Sequence, residues 1–260
     1  PENLKNTIFG FNYNDFDKLE NLIKNKKIGI LIMEVVRNIS PKDNFLKKIQ
    51  KITKKNNIKL IFDECTTGFR NDFGGIHKSF GVEPDLAMFG KSLGNGYAIT
   101  ACLGKKNIMK YANECFISST FWTERIGYVA ALKTLEVMKK NKSWKIVKEK
   151  GKKIIQIWKD ISKRNKIDLD ISGIPALCSF KFKNKDNAIC KTIITQEMLK
   201  KGYLATNTVY VCTEHSDKII EKYAKFLEPI LVKINECKNQ KELQKLLDGK
   251  ICNTDFQRIN

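Results

Sequence analysis

Apolar runs of strand length alternate with amphipathic segments of helical period through the first half of the chain. The run at residues 28–36 is rich in Ile and Val, as expected for a strand buried on both faces. Further strands are predicted at residues 59–63, 85–89 and 98–103, and helices at residues 41–55 and 123–140. Because strands that alternate with crossover helices form mainly parallel sheets covered on both sides, this pattern predicts an α/β fold.

The first predicted helix has signals at both of its ends. Ser40 is a suitable N-cap and Pro41 is a suitable first helical residue, so the helix is expected to begin there. Asn56 and Asn57 follow its last apolar turn and are expected to end it.

The pattern changes near Lys139, where the Lys- and Asn-rich stretch Lys139–Lys142 is typical of a linker or an exposed turn. We therefore expect a boundary near residue 141, with a large domain at residues 1–140 and a smaller α/β domain at residues 141–260. The second part has a helical period at residues 144–161, 192–200 and 218–234, and strand-like segments at residues 176–182 and 202–211.

The charge balance introduces one alternative. The chain has 48 basic and 28 acidic residues among 260, a net charge of +20, so nucleic acid is a partner to consider. The lysines are spread over the polar faces of predicted helices, and no helix-turn-helix or RNA-binding motif accompanies them. We therefore expect no nucleic-acid partner.

The cysteines indicate the redox state of the compartment, and the histidines indicate whether a metal site is present. The eight cysteines form no C-x-x-C pair, which favours free thiols in a reducing cytoplasm. The two histidines, His77 and His215, are far apart and lack ligand-like neighbours, so no metal site is expected. No apolar run reaches the roughly 18 to 20 residues of a membrane-spanning helix, and we expect no membrane partner.

Four side chains that can do chemistry stand at predicted element ends. Glu34 and Asp63 end strands, Lys91 follows a strand through Gly90, and Thr120 precedes a helix. The carboxyl edge of a parallel sheet is where α/β proteins bind ligands, and helix starts bind phosphate. Each feature is ambiguous on its own, because such groups also cap turns and helices.

Taken together and in order, the motifs resemble one family. They are Asp63-Glu64 with Gly68-Phe69-Arg70, the Pro84-Asp85 strand that leads to Gly90-Lys91, and Ser118-Ser119-Thr120-Phe121. These motifs resemble class III pyridoxal-phosphate (PLP) aminotransferases, in particular the group of glutamate-1-semialdehyde 2,1-aminomutase. The similarity covers the whole chain, including its tail at residues 256–258. It implies the PLP-dependent transferase fold type I and a cytoplasmic homodimer.

The resemblance also implies roles for the central residues. Lys91 would form the Schiff base with PLP and then move the proton during amino transfer. Asp63 would pair with the pyridine nitrogen, Glu64 would support the site, and Cys65 would pack behind the ring where the family has Val or Ile. No metal is implied.

Two further residues are implied at the edges of the site. Thr120 matches the threonine that contacts the PLP phosphate of the neighbouring subunit, which would make the active site shared. Glu34 matches a substrate-side glutamate, although Val35 replaces the proline that usually follows it.

Departures from the aminomutase pattern favour another substrate. Residues 92–96 contain fewer glycines, and residues 121–125 are bulkier than in the aminomutase. The resemblance therefore favours an aminotransferase that moves an amino group between an amino compound and a keto or aldehyde acceptor. The aminomutase, which shifts the amino group within one substrate, is the alternative.

Family members carry an N-terminal segment, with a Gly-Ser/Thr phosphate loop and an aromatic ring stacked on PLP, before the position of Pro1. Neither motif occurs before Ile28. We therefore expect an incomplete large domain with an unpaired sheet edge and an uncovered apolar face, so that this chain alone binds PLP weakly and aggregates. A truncated inactive remnant and a basic nucleic-acid binder remain as competing hypotheses.

Overall fold

The computed structural model describes residues 2–36, 38–120 and 122–253. Phe121 of the Ser-Ser-Thr-Phe motif and the tail motif at residues 256–258 lie outside the described residues. The chain divides into two compact units between Lys145 and Ile146. The expectation of a cofactor-binding domain at residues 1–140 and a small domain at residues 141–260 stays a prediction.

The first unit contains a four-stranded sheet in the order β1-β2-β3-β4. Its strands are β1 (Ile30–Glu34), β2 (Lys59–Asp63), β3 (Leu86–Phe89) and β4 (Ala101–Gly104). The first three strands are parallel and β4 runs antiparallel to β3. The prediction of an α/β fold with a mainly parallel sheet is confirmed.

Helices connect and flank these strands. They are α1 (Phe16–Asn25), α2 (Phe45–Lys55), α3 (Lys106–Met109), α4 (Arg125–Asn141) and α5 (Ser143–Arg164), and the last crosses the division between the units. Short 3₁₀ helices occur at Glu2–Leu4, Ile76–Phe80, Lys91–Leu93 and Lys110–Glu114. Within the described residues, none of the helices combines the length and apolar character that crossing a bilayer requires.

The predicted start of α2 at Pro41 is wrong, because the helix begins four residues later, at Phe45. Asp43 and Asn44 both adopt positive φ angles, 49° and 57°, which an α-helix cannot include. The side chain of Asn14 holds the preceding turn by donating to the Ser40 carbonyl and accepting from the Lys42 amide, both at 3.0 Å.

The stretch Lys139–Lys142, predicted as a linker or an exposed turn, is helical up to Asn141, and only Lys142 is an exposed turn residue. Helix α4 continues to Asn141 and α5 begins at Ser143, so a single residue, Lys142, joins the two helices. Its φ of 51° ends α4 in a left-handed cap.

The sheet has one buried face and one exposed face. Leu31 of β1 and Phe62 of β2 point to the buried face, where their exposed fractions are 4% and 0%. On this face Leu93 and Ala131 pack against Ala87 and Phe89 of β3.

The opposite face carries apolar side chains without a cover. Ile30 and Ile32 of β1 alternate with Leu31 and are each 62% exposed. Strand β1 is also an edge of the described sheet, so backbone groups on its outer side lack a strand partner within the described residues. This matches the expectation of an unpaired edge and an uncovered apolar face.

The second unit is a smaller α/β arrangement. A three-stranded antiparallel sheet contains β5 (Leu169–Ile174), β6 (Leu177–Phe182) and β7 (Thr208–Tyr210). The helices are the main part of α5, with α6 (Asn187–Leu199), α7 (Asp217–Glu236) and α8 (Gln240–Gln244). Its core centres on Trp158, whose indole N–H donates to the buried Tyr223 hydroxyl at 3.1 Å and whose ring packs edge-on against Phe180.

The two faces of β1 predict unequal costs for neighbouring substitutions. Leu31→Ala should lower the free energy of unfolding by about 2–5 kcal/mol, because it opens a cavity in the core. Ile32→Ala should cost less than about 1 kcal/mol, since that side chain is 62% exposed. Urea unfolding of both variants, followed by circular dichroism, measures the two costs. Equal costs would contradict the one-faced burial of the sheet.

Candidate active site

The parallel register brings the strand-end carboxylates to one edge of the sheet. Glu34 ends β1 and Asp63 ends β2, and these two residues are register partners. Asp63 is also the register partner of Met88 in β3. Lys91 follows the end of β3 by two residues, so it enters the same carboxyl edge.

Lys91 is held in an unusual backbone conformation. Its φ is 44°, in the left-handed region that costs a residue other than glycine of order 1–3 kcal/mol. Its ammonium group donates to the Thr66 hydroxyl at 2.6 Å. Its carbonyl accepts from the Gly94 amide at 3.2 Å and from the Asn95 amide at 3.1 Å. Hydrogen bonds therefore hold both the backbone and the amine of Lys91.

Thr66 is a site residue that the sequence analysis missed. It is buried in the loop after β2, three positions beyond Asp63, and its hydroxyl is the partner of the Lys91 amine. The only sequence signal was its place in the Asp-Glu-Cys-Thr-Thr-Gly motif, which does not reveal the direction in which the side chain points.

Cys65 lies between the two charged residues of the site. Its amide donates to the Asp63 carboxylate at 2.9 Å. Burial raises the pKa of the Cys65 thiol, as do its hydrogen bond to Asp63 and the negative charge there, whereas the positive charge of Lys91 lowers it. Lys91 and Asp63 therefore both act on this thiol, with opposite signs.

Glu64 points away from this cluster. Its side chain is fully buried, accepts a hydrogen bond from the Thr67 hydroxyl at 2.6 Å and pairs with His77 Nδ1 at 2.8 Å. A supporting role for Glu64 at the site must therefore act through the loop that carries Cys65 and Thr66.

Thr120 is exposed, and it is not among the described residues that line the cleft beside Lys91. Its neighbours Ser119 and Trp122 line a cleft of about 650 Å³ together with Lys91, Tyr97 and Tyr128. The expected role of Thr120 toward the cofactor of a neighbouring subunit remains a prediction.

The cluster fits the two main demands of a PLP site. A lysine amine and a carboxylate stand at one sheet edge, and both residues are accessible at least in part. The described residues offer no group of three or more His, Cys, Asp or Glu side chains that could hold a metal ion.

The opposed charges around Cys65 predict opposite effects on its reactivity. Asp63→Asn removes a charge that raises the thiol pKa, so the thiolate fraction should increase and alkylation by iodoacetamide should accelerate severalfold. Lys91→Met removes a charge that lowers this pKa, so alkylation should slow. Peptide mass spectrometry at pH about 8, below the usual thiol pKa, gives both rates. The exposed Cys102 is the internal control, and a change in the same direction in both variants would refute the placement.

Comparison with known proteins places the chain in one family. The sequence model of the class III aminotransferases matches residues 12–237. A 3-aminobutyryl-CoA aminotransferase from Cloacimonas acidaminovorans is 31% identical over 232 residues, which are 84% of this chain and 56% of that protein. A glutamate-1-semialdehyde 2,1-aminomutase from Sulfurihydrogenibium azorense is 29% identical over 245 residues, 85% of this chain and 57% of that protein.

Solved structures agree on the fold. The FumI protein of Sphingopyxis sp. MTA144, in a form that carries PLP, superposes with a TM-score of 0.80 at 20% identity, over 87% of this chain and 57% of that chain. The chain thus spans less than three-fifths of the length of these relatives. The described fold, the motifs in order and the family match give one conclusion: this chain belongs to the class III aminotransferase family.

Proposed function

We propose that this chain carries the lysine-bearing part of a PLP-dependent aminotransferase, which moves an amino group between an amino compound and a keto or aldehyde acceptor. The observation that carries the proposal is the Lys91 amine, fixed at 2.6 Å from the Thr66 hydroxyl at the sheet edge where β2 ends in Asp63. The similarity of this chain to the relatives named above supports amino transfer as the class of reaction.

Lys91 is proposed as the residue that binds the cofactor and moves the proton at the substrate carbon. PLP, when bound, supplies an electron-accepting ring next to the reacting amine. Only a neutral amine can accept a proton, so Lys91 must be uncharged when it acts as a base. The Thr66 hydroxyl suits both states, because it can accept from an ammonium group and donate to a neutral amine.

Asp63 is proposed as the partner of the pyridine nitrogen. One of its oxygens accepts from the Cys65 amide at 2.9 Å, which fixes the carboxylate on the rigid end of β2. Cys65 is proposed to pack behind the ring, and Glu34 to face the substrate at the adjacent strand end. Glu64 supports these residues from the buried side of the loop.

We propose a homodimer in which Thr120 of one subunit contacts the cofactor phosphate of the other. Helix α4 supports an interface, because Ile126, Val129 and Leu132 recur at intervals of three residues and are each more than half exposed. None of the eight cysteines forms a disulfide, which supports a cytoplasmic location.

An internal amino shift of the aminomutase type is the second candidate. It is supported by the aminomutase relative from Sulfurihydrogenibium azorense and by a second one from Nitrosopumilus maritimus, 41% identical over 147 residues. Product analysis separates the two reactions. An aminomutase converts glutamate-1-semialdehyde to 5-aminolevulinate without a second substrate, whereas an aminotransferase consumes an acceptor in step with its amino donor.

Asp63→Asn should retain bound PLP but lose turnover by about a hundredfold or more, because the neutral amide cannot keep the pyridine nitrogen charged. Bound PLP is quantified after dialysis, and turnover is measured with a panel of amino donors and keto acceptors. Asp17→Asn, on the exposed side of α1, is the matched control.

The assay is run on this chain and on the longest product that its gene encodes. Full turnover by the Asp63→Asn variant would contradict the role assigned to Asp63. Absence of turnover in every wild-type product would favour the inactive remnant over the enzyme.

A further inference from the structure

We infer that His77, acting through Glu64, is a positioning residue for the Lys91 amine. The inference rests on the proposed function, since it assigns a purpose to the position of Lys91. It concerns the Glu64 cluster, defined as Glu64, Thr67 and His77, which lies beneath the loop that carries Thr66.

Glu64 is the centre of the cluster. Its side chain is 0% exposed, and a buried carboxylate is stable only when its oxygens receive hydrogen bonds. One oxygen accepts from the Thr67 hydroxyl at 2.6 Å, and the other accepts from the His77 amide at 2.9 Å and pairs with His77 Nδ1 at 2.8 Å. An imidazole ring with its proton on Nδ1 donates to this oxygen.

The surroundings hold the His77 ring in place. The ring lies 5.9 Å from the fully buried Phe62 ring, measured between centroids. A Cβ at Gly75 would lie 2.3 Å from the His77 ring and 2.8 Å from the Glu64 carboxylate. Only glycine therefore fits at position 75 without displacing the pair.

The turn at residues 64–68 connects this cluster to the active site. The Gly68 amide donates to the Glu64 carbonyl at 2.7 Å, and the Arg70 side chain donates to the Thr66 carbonyl at 2.8 Å. Thr67 is fixed by Glu64 on the buried side, and the adjacent Thr66 faces Lys91. Loss of the bonds to Glu64 would therefore loosen the turn that presents the Thr66 hydroxyl to the Lys91 amine.

The sequence places His77 and Glu64 thirteen positions apart, in different elements. A purely structural pair would affect stability alone. A positioning pair must also change the chemical behaviour of Lys91. The path from the Glu64 carboxylate to the Lys91 amine consists of the Glu64–Thr67 hydrogen bond, the peptide unit between Thr67 and Thr66, and the Thr66–Lys91 hydrogen bond. The pH profile of the Lys91 amine is therefore the discriminating measurement.

The experiment measures trace acetylation of Lys91 by acetic anhydride over a pH range, with peptide mass spectrometry and without added cofactor. His77→Leu removes the ring donor, and His77→Asn retains an N–H donor near the position of Nδ1. We expect His77→Leu to displace the profile and to change the Lys91 rate at a fixed pH by about tenfold, the equivalent of one hydrogen bond to a charged group. The Lys91 acetylation rate in His77→Asn should stay within about twofold of the wild-type rate, because the retained hydrogen bond keeps about the same energy.

Two controls make the result specific. His215→Leu replaces the other histidine of the chain, which belongs to the second unit, and should leave the Lys91 profile unchanged. If His77→Leu does not fold, Thr67→Val and Thr67→Ser decide the question, because valine removes the hydroxyl donor to Glu64 and serine keeps it.

An unchanged Lys91 profile in His77→Leu, or in Thr67→Val where that pair decides, would overturn the inference, as would an equal displacement by His215→Leu. Failure of the proposed function is a separate result. In that case wild-type protein would take up no PLP at Lys91, although the acetylation profile could still depend on His77.

Discussion

The parallel pairing of β2 with β3 is the constraint on which the candidate site depends. It places Asp63 beside Met88, so that the carboxylate and the chain leading to Lys91 emerge from the same sheet edge. The pairing of β1 with β2 adds Glu34 to that edge. Glu34 and Lys91, which are 57 positions apart in sequence, thereby lie along one edge of the sheet. Loops alone would not hold them there with the same rigidity.

Side chains of the loop after β2 point in two directions, some toward the candidate site and others toward the interior of the protein. Cys65 contacts Asp63 and Thr66 contacts Lys91, whereas Glu64 points into the protein, where it binds both Thr67 and His77. The buried carboxylate needs these donors, so the same bonds that satisfy Glu64 also fix the turn. The positive φ of Lys91 is accompanied by hydrogen bonds to its carbonyl from the Gly94 and Asn95 amides and by the hydrogen bond from its amine to Thr66.

The motifs predicted the fold class and the positions of Asp63 and Lys91, because strand ends and apolar runs are local features. They missed Thr66 and the inward direction of Glu64, since side-chain direction in a loop depends on what packs around it. The start of α2 was wrong because Asp43 and Asn44 turn the chain, although Ser40-Pro41 has the composition of a helix start. Strand β5 was not predicted, although residues 169–172 alternate between apolar and polar side chains, because the alternation is short and stops at Gly173.

The central claim is that the Lys91 amine binds PLP covalently. Borohydride reduction of protein incubated with PLP, followed by peptide mapping, tests it most directly. The account predicts one dominant modified peptide that contains Lys91, lost in Lys91→Arg and retained in Lys105→Arg, a surface lysine paired with Asp85. Label distributed over many surface lysines, and unchanged in Lys91→Arg, would contradict the account.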